Sequence, residues 1–188
     1  MQNRTLSVAL LMQIMVVLLG LSPPCTIFSD LQRLFNSRKV AKSVFDKRFA
    51  QGVVFVDHAM ACCEAQINNG RFFFFEHPGR ATSWQLASVG RVRKMSGVQE
   101  VCFHQCAVGL KSKVHGVPMR KYTRLLTNSK YVVQLFKDRR CDGQHAHQPI
   151  HGAEGGMLRS TFAQQYPKEM VDLLVQAARM HAADLGLL

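Results

Sequence analysis

The sequence predicts an α/β fold, the C-terminal part of a doubly wound, mainly parallel Rossmann-like sheet. Three observations predict it. Short apolar runs bounded by turn residues, among them Val16-Val17-Leu18-Leu19 and Phe72-Phe73-Phe74-Phe75, lack a polar face and suit strands covered on both sides. Stretches with apolar residues at helical spacing alternate with these runs, the signature of crossover connections. The 188 residues, 47% hydrophobic and without repeat or low-complexity tract, suffice for one core but not obviously for two.

Taken in chain order, residues 6–21 form an apolar stretch whose end, residues 16–19, is a candidate buried strand. Ser37 is a possible N-cap, and Val40, Val44, Val53 and Ala61 recur at roughly helical spacing, giving one or two helices that Gly52 divides. Asn68-Asn69-Gly70 stops them, and the phenylalanine strand 72–75 follows. Thr82 or Ser83 caps a helix through residue 93, with Trp84, Leu86 and Val89 on its apolar face. Strands over 98–103 and 122–127, then a short helix over 130–137, continue the alternation. Residues 141–156, rich in Gly, His and Gln, form an irregular loop. Pro167 opens a last helix whose stripe is Met170, Leu173, Leu174, Ala177, Ala178 and His181. The chain divides into an apolar segment (1–21), an α/β region (22–140) and a loop with an amphipathic helix (141–188).

A net charge of +12, from 24 Lys and Arg against 12 Asp and Glu, makes a polyanion such as nucleic acid the natural partner. Six cysteines without disulfide-framework spacing favour a reducing compartment, nuclear or cytoplasmic. Residues 6–21 could pass for a signal peptide, but they end in Pro23-Pro24 rather than a small-residue cleavage site and are short for a membrane span. No membrane association is expected, and secretion is the minority reading.

Cys25 follows two prolines at the mouth of the first apolar run, where sheets of this class place their ligands. Glu76 lies directly beyond the phenylalanine strand, in apolar surroundings that favour a protonated carboxyl able to act as a general acid. If the two strands are neighbours, Cys25 and Glu76 face one cleft. The blander alternatives are a small buried thiol and a carboxylate that caps a turn or pairs with an arginine.

The ordered set Pro24-Cys25-Thr26-Ile27-Phe28-Ser29, then Phe75-Glu76-His77-Pro78, then Gln105-Cys106-Ala107-Val108-Gly109 with Arg120, Lys121 and Arg124 beyond, resembles the cytosine-C5 DNA methyltransferases over about residues 15–130. With Glu76-His77-Pro78, Thr123-Arg124-Leu125-Leu126-Thr127-Asn128 and Arg140-Cys141-Asp142-Gly143 it also resembles a methyltransferase-like segment of algal retroelement polyproteins and phage-like proteins.

The resemblance implies that Cys25 adds as thiolate to carbon 6 of a flipped cytosine and that Glu76 hydrogen-bonds and protonates the ring nitrogen. It implies that Ser29, Gln105, Arg120, Lys121 and Arg124 contact base or backbone, although a solvated basic strand edge explains the cations equally well. S-adenosylmethionine is the implied methyl donor, with Pro23 and Pro24 the weak candidates for touching it. Thr26 and His77 depart from the family's glutamine and asparagine. The family's glycine-rich loop and acidic cofactor residue precede the cysteine loop, and the 24 residues before Cys25 hold neither. The expected function is therefore a truncated or degenerate methyltransferase-like domain of mobile-element origin, inactive alone unless a partner chain or missing N-terminal segment supplies the other half. The alternative is a non-catalytic basic nucleic-acid-binding module. A descent from the Ser-Pro-Pro-aromatic amino-methyltransferases is weakened by cysteine at the aromatic position.

Cys141, His145 and His147, with His151 nearby, offer three possible zinc ligands without an assignable fourth. An exposed polar loop is the default and zinc is not expected. His104 and Cys106 alternate with apolar neighbours and read as core or strand-end residues.

Overall fold

The computed structural model describes residues 17–29 and 40–188. Ser37, the apolar residues before 17 and the basic residues between 30 and 39 lie outside them. The element order is β1 (Leu18–Leu21), α1 (Lys42–Asn68), β2 (Phe72–Pro78), α2 (Ala87–Arg93), β3 (Gln99–His104), β4 (Tyr122–Thr127), α3 (Lys130–Phe136), a small hairpin β5 (Ala153–Glu154) and β6 (Met157–Leu158), α4 (Arg159–Phe162) and α5 (Lys168–Asp184).

The main sheet has the order β1-β2-β4-β3. The α/β class is as the sequence indicates, but the pairing is not mainly parallel: β1 and β2 pair in parallel, whereas β4 runs antiparallel to both β2 and β3. The cause lies between β3 and β4. A parallel return needs a helix-length crossover, and the chain from 105 to 121 supplies only a 3-10 turn (Gln105–Val108) and a tight excursion closed by the Lys111–Pro118 bridge. The chain therefore comes back beside β3 in the opposite sense. Only β4 is reversed among the four strands.

Helices cover both faces, and the alternation along β2 explains how. Phe73 and Phe75 point into a core with Phe28, Val56, Met60, Cys63 and Leu126, roofed by α1 and α2. Phe74 points the other way, to Phe103, Leu125, Phe136, Met170 and Leu173 under α3 and α5. An apolar run without a polar face is thus the mark of a strand buried twice. Each phenylalanine removed from water contributes about 1.5–3 kcal/mol.

Gly52 does not divide α1. It is buried within one continuous helix, where a Cβ would lie 2.7 Å from the Ile27 side chain and 3.0 Å from the Phe28 ring. Its role is close approach: the bare backbone lets the loop after β1 lie against the helix. Helix α1 ends at Asn69, whose side-chain amide donates to the Ala65 carbonyl at 2.7 Å, and Gly70 turns the chain with φ +64°. The region expected to form one helix from Thr82 or Ser83 splits into a 3-10 turn (Thr82–Gln85) and α2, because Leu86 between them is extended. The stretch expected to be irregular, residues 141–156, ends in β5, the first strand of the β5–β6 hairpin. In α5 the buried stripe is Met170, Leu173, Leu174, Ala177 and His181. No described helix is long and apolar enough to cross a membrane.

Candidate functional site

Strands β1 and β2 are parallel neighbours with Leu21 in register with Phe75, so the residues that follow leave the sheet side by side at its carboxyl edge. Ser22 donates its hydroxyl to Glu76 Oε2 at 2.9 Å across that step. Cys25 then caps the 3-10 turn Thr26–Phe28, with the Phe28 N–H donating to its carbonyl at 3.0 Å. Ser29 closes the turn by donating its hydroxyl to the Thr26 carbonyl. Phe28 anchors the loop, packing edge-on against Phe49 of α1 at 5.4 Å.

His77, 0% exposed, holds the same loop from below. Its Nε2 lies 3.1 Å from the Pro23 carbonyl and its Nδ1 2.7 Å from Ser83 Oγ. A carbonyl only accepts, so Nε2 carries the proton and Nδ1 accepts from Ser83. Burial lowers the His77 pKa to about 4, with the Lys121 charge acting in the same direction and the Pro23 bond opposing. The departure from asparagine noted above is a buried, neutral tether between the Pro-Cys loop and the turn after β2.

Glu76 is 3% exposed and faces the α3–α5 side of the sheet. Its Oε2 accepts from Ser22 and, at 3.4 Å, from the hydroxyl of Tyr166. Its Oε1 has no hydrogen-bond partner and sits 3.8 Å from the Lys121 ammonium, which also donates to the Ala163 carbonyl at 2.9 Å. Burial, then the Glu76 charge, raises the Tyr166 hydroxyl, which stays a neutral donor. Burial also pushes the Cys25 thiol up, the Glu76 charge pushes it further, and Lys121 opposes both. Cys25 is thus within electrostatic reach of Glu76 and Lys121, and at rest it is a thiol.

The other expected contact residues are elsewhere. Gln105 is fully buried, its amide donating to Thr123 Oγ1 at 3.1 Å while its own carbonyl oxygen has no partner. Arg124 is in register with His77, hence on the opposite face from Glu76. Its guanidinium lies 4.9 Å over the Trp84 ring and donates to the Gly79 carbonyl and to Glu100. Arg120 is exposed. Lys121 alone of the three cations joins the Cys25–Glu76 edge. Ser22 and Tyr166 complete it. Ser22 was legible as part of the Ser-Pro-Pro-Cys loop, whereas Tyr166, 90 residues from Glu76, carries no local signal.

The described residues just before Cys25 offer no glycine-rich cradle for S-adenosylmethionine. Gly20, the single described glycine before Cys25, does not open a cradle, because the Phe74 ring fills the space its Cβ would take, at 2.5 Å. Pro23 and Pro24 have no N–H to offer, and the Pro23 carbonyl is occupied by His77.

On the far side of β3, four further side chains converge. Cys106, Cys141, His145 and His147 place their ligating atoms within 4.8 Å of one another. His104 ends β3 and Cys106 stands half-buried just beyond it, at the strand end rather than in the core, and His104 accepts from the Cys141 N–H at 3.0 Å. His151 is not part of this group.

Comparison with family models, characterised proteins and solved structures finds no match for this chain.

Proposed function

We propose that the edge around Cys25 and Glu76 is the base-handling half of a cytosine-methyltransferase-like domain, of mobile-element ancestry and without methylating activity on its own. The observation that carries this reading is the open Oε1 of the buried Glu76 carboxylate beside Cys25, at the carboxyl ends of two parallel strands. A buried acceptor that has an ion-pair partner but no hydrogen bond keeps acceptor capacity for a ligand, and a pyrimidine ring with its exocyclic amine offers donors of the right kind. A sheet with three strands in one sense and a single reversed one also suits a doubly wound ancestor.

Within that reading Glu76 binds the base edge, Ser22 and Tyr166 fix the carboxyl group, and Lys121 offsets its charge. Cys25 becomes a nucleophile only when its proton leaves. Protonation of the ring nitrogen through Glu76 while sulfur bonds to carbon 6 would meet that need, since the thiol proton ends on the ring. No methyl-transfer step is assigned to these residues.

The test uses a single-stranded oligonucleotide carrying 2-pyrimidinone, a cytosine analogue with a more electrophilic carbon 6. A covalent adduct in the wild type, lost in Cys25→Ala and diminished in Glu76→Gln, is the expected outcome. No adduct, with binding unchanged in Cys25→Ala, would overturn it.

The second reading is a non-catalytic nucleic-acid-binding module. It is favoured by the groove on the opposite face, where Arg80, Arg93 and Arg124 surround Trp84 with Glu100 as the lining carboxylate. Under it, affinity falls steeply with salt and responds to Arg80→Ala rather than to Cys25→Ala.

A further inference from the structure

We propose that Cys106, Cys141, His145 and His147 form a closed structural zinc site that staples the 141–152 loop to the end of β3. The inference is independent of the methyltransferase reading. Cys106 is the fourth ligand that local spacing could not supply: it stands on the 3-10 turn after β3, whereas the other three follow α3.

Around Cys141 the geometry is close to that of an occupied centre, and Cys106 Sγ lies within 4.8 Å of the other three ligand atoms. With Zn–S of about 2.3 Å and Zn–N of about 2.0–2.1 Å, the ligand atoms of a tetrahedral site stand about 3.3–3.8 Å apart. Cys141 Sγ is 3.3 Å from His147 Nε2 and 3.6 Å from His145 Nε2, inside that range. The two imidazoles are neighbours, their centroids 4.4 Å apart and their planes tilted by 55°. Two sulfurs and two imidazole nitrogens, with no carboxylate in the set, is a donor combination suited to zinc rather than to magnesium or calcium.

The surroundings orient the ligands as a metal site requires. Gly143, turned by φ +78°, points its N–H at Cys141 Sγ at 3.3 Å, a bond that favours a thiolate. The Asp142 carboxylate is 3.7 Å from His145 Nδ1, on the far side of the ring from the ligating Nε2. The Cys141 backbone is fixed by its N–H bond to His104, and the His104 N–H in turn donates to the Arg139 carbonyl at 3.0 Å. Four protein donors leave no open position for substrate, so the role is structural. The need is plain from the fold: residues 141–152 contain no helix or strand and little buried apolar surface, so other forces must hold them.

The full chain, purified under reducing conditions from zinc-supplemented cells and dialysed, is assayed for bound metal by elemental analysis. About one zinc per chain is expected, falling to none in Cys106→Ser and in Cys141→Ser and unchanged in Cys102→Ser, a half-buried cysteine outside the cluster. Asp142→Asn weakens zinc binding about 10- to 100-fold. Should the ligand variants fail to fold, cobalt(II) added to chelator-stripped wild type decides the matter. Intense visible bands with thiolate-to-cobalt charge transfer support two sulfur ligands in a tetrahedral site. Overturning results are the weak spectrum of octahedral cobalt, zinc retained in Cys106→Ser, no zinc in the wild type, or a Cys106–Cys141 disulfide in the reduced preparation.

Discussion

Two regions of this molecule gather cysteine with ionisable partners, and they prepare the sulfur for opposite ends. At the carboxyl edge of β1 and β2, Cys25 lies within electrostatic reach of a buried carboxylate, and both burial and that charge keep it a protonated thiol. At the end of β3, Cys141 is met by two imidazole nitrogens and the Gly143 N–H, which stabilise sulfur as an electron-pair donor. The lesson is that company and not exposure sets the role, since both cysteines are half-buried. Under the readings proposed above, the first suits a ligand that donates protons and the second a cation that accepts lone pairs.

The largest effect that separates them comes from acid. His77 has a folded pKa of about 4 against an ordinary value near 6.5, so the unfolded chain binds its proton first as pH falls. The stability this histidine contributes is complete above pH ~6.5, declines below it, and is lost once pH passes ~4, about 3 kcal/mol in all. Denaturant unfolding from pH 7 to pH 4 measures it. In His77→Gln the part of the slope due to this residue disappears, while the part due to His181, also lowered to about 4 by burial, persists. A slope unchanged by the substitution would mean that His77 does not tether the Cys25 loop.

Next in size is Gly52→Ala. Helix propensity alone would favour alanine by about 1 kcal/mol. The new Cβ, however, meets Ile27 at 2.7 Å and Phe28 at 3.0 Å, and both belong to the Cys25 loop. A net loss of about 1–2 kcal/mol is expected, together with altered alkylation of Cys25 and unaltered zinc content. A change in both regions would show that they are one cooperative unit rather than two.

The contrast between the regions also marks what the sequence could reveal. The phenylalanine strand, the 122–127 strand and the α5 stripe were legible because a strand buried twice and an amphipathic helix leave periodic traces. The convergence of Cys25 with Glu76 was legible too, because it follows from two strand ends being neighbours. The antiparallel course of β4 was not, since it depends on how the chain from 105 to 121 folds back. Cys106 was hidden for a related reason: it stands on the turn just beyond a strand whose alternation suits a core or strand-end residue, and its partners lie beyond an intervening strand and helix. His77 looked like a family departure, and only tertiary contacts show it as the tether between Pro23 and Ser83.

A chemical readout sharpens the comparison further. If the Glu76 charge helps hold Cys25 as a thiol, Glu76→Gln lowers the thiol pKa and speeds alkylation of Cys25 at neutral pH, followed by peptide mass spectrometry. Lys121→Met has the opposite effect, because the ammonium is the charge that favours thiolate. Cys141 alkylation should respond to neither. Slower labelling of Cys25 in Glu76→Gln would remove the electrostatic basis of the contrast.

The smallest expected effect tests how the open carboxylate is held. Ser22 and Tyr166 both donate to Glu76 Oε2, but at 2.9 Å and 3.4 Å, and the hydrogen-bond contribution falls as distance departs from its optimum. Ser22→Ala should cost about 1 kcal/mol, the net value of a hydrogen bond from an exposed side chain, and Tyr166→Phe only about 0.5 kcal/mol. Tyr166→Phe keeps the ring and so preserves packing near α5, which makes urea unfolding a direct measure of the hydroxyl. If the tyrosine hydroxyl proves worth as much as the serine, Oε2 is fixed from the α5 side as firmly as from the Pro-Cys loop. The edge around Cys25 and Glu76 would then be assembled from both ends of the chain, with residues 163–166 as much a part of it as the loop that carries Cys25.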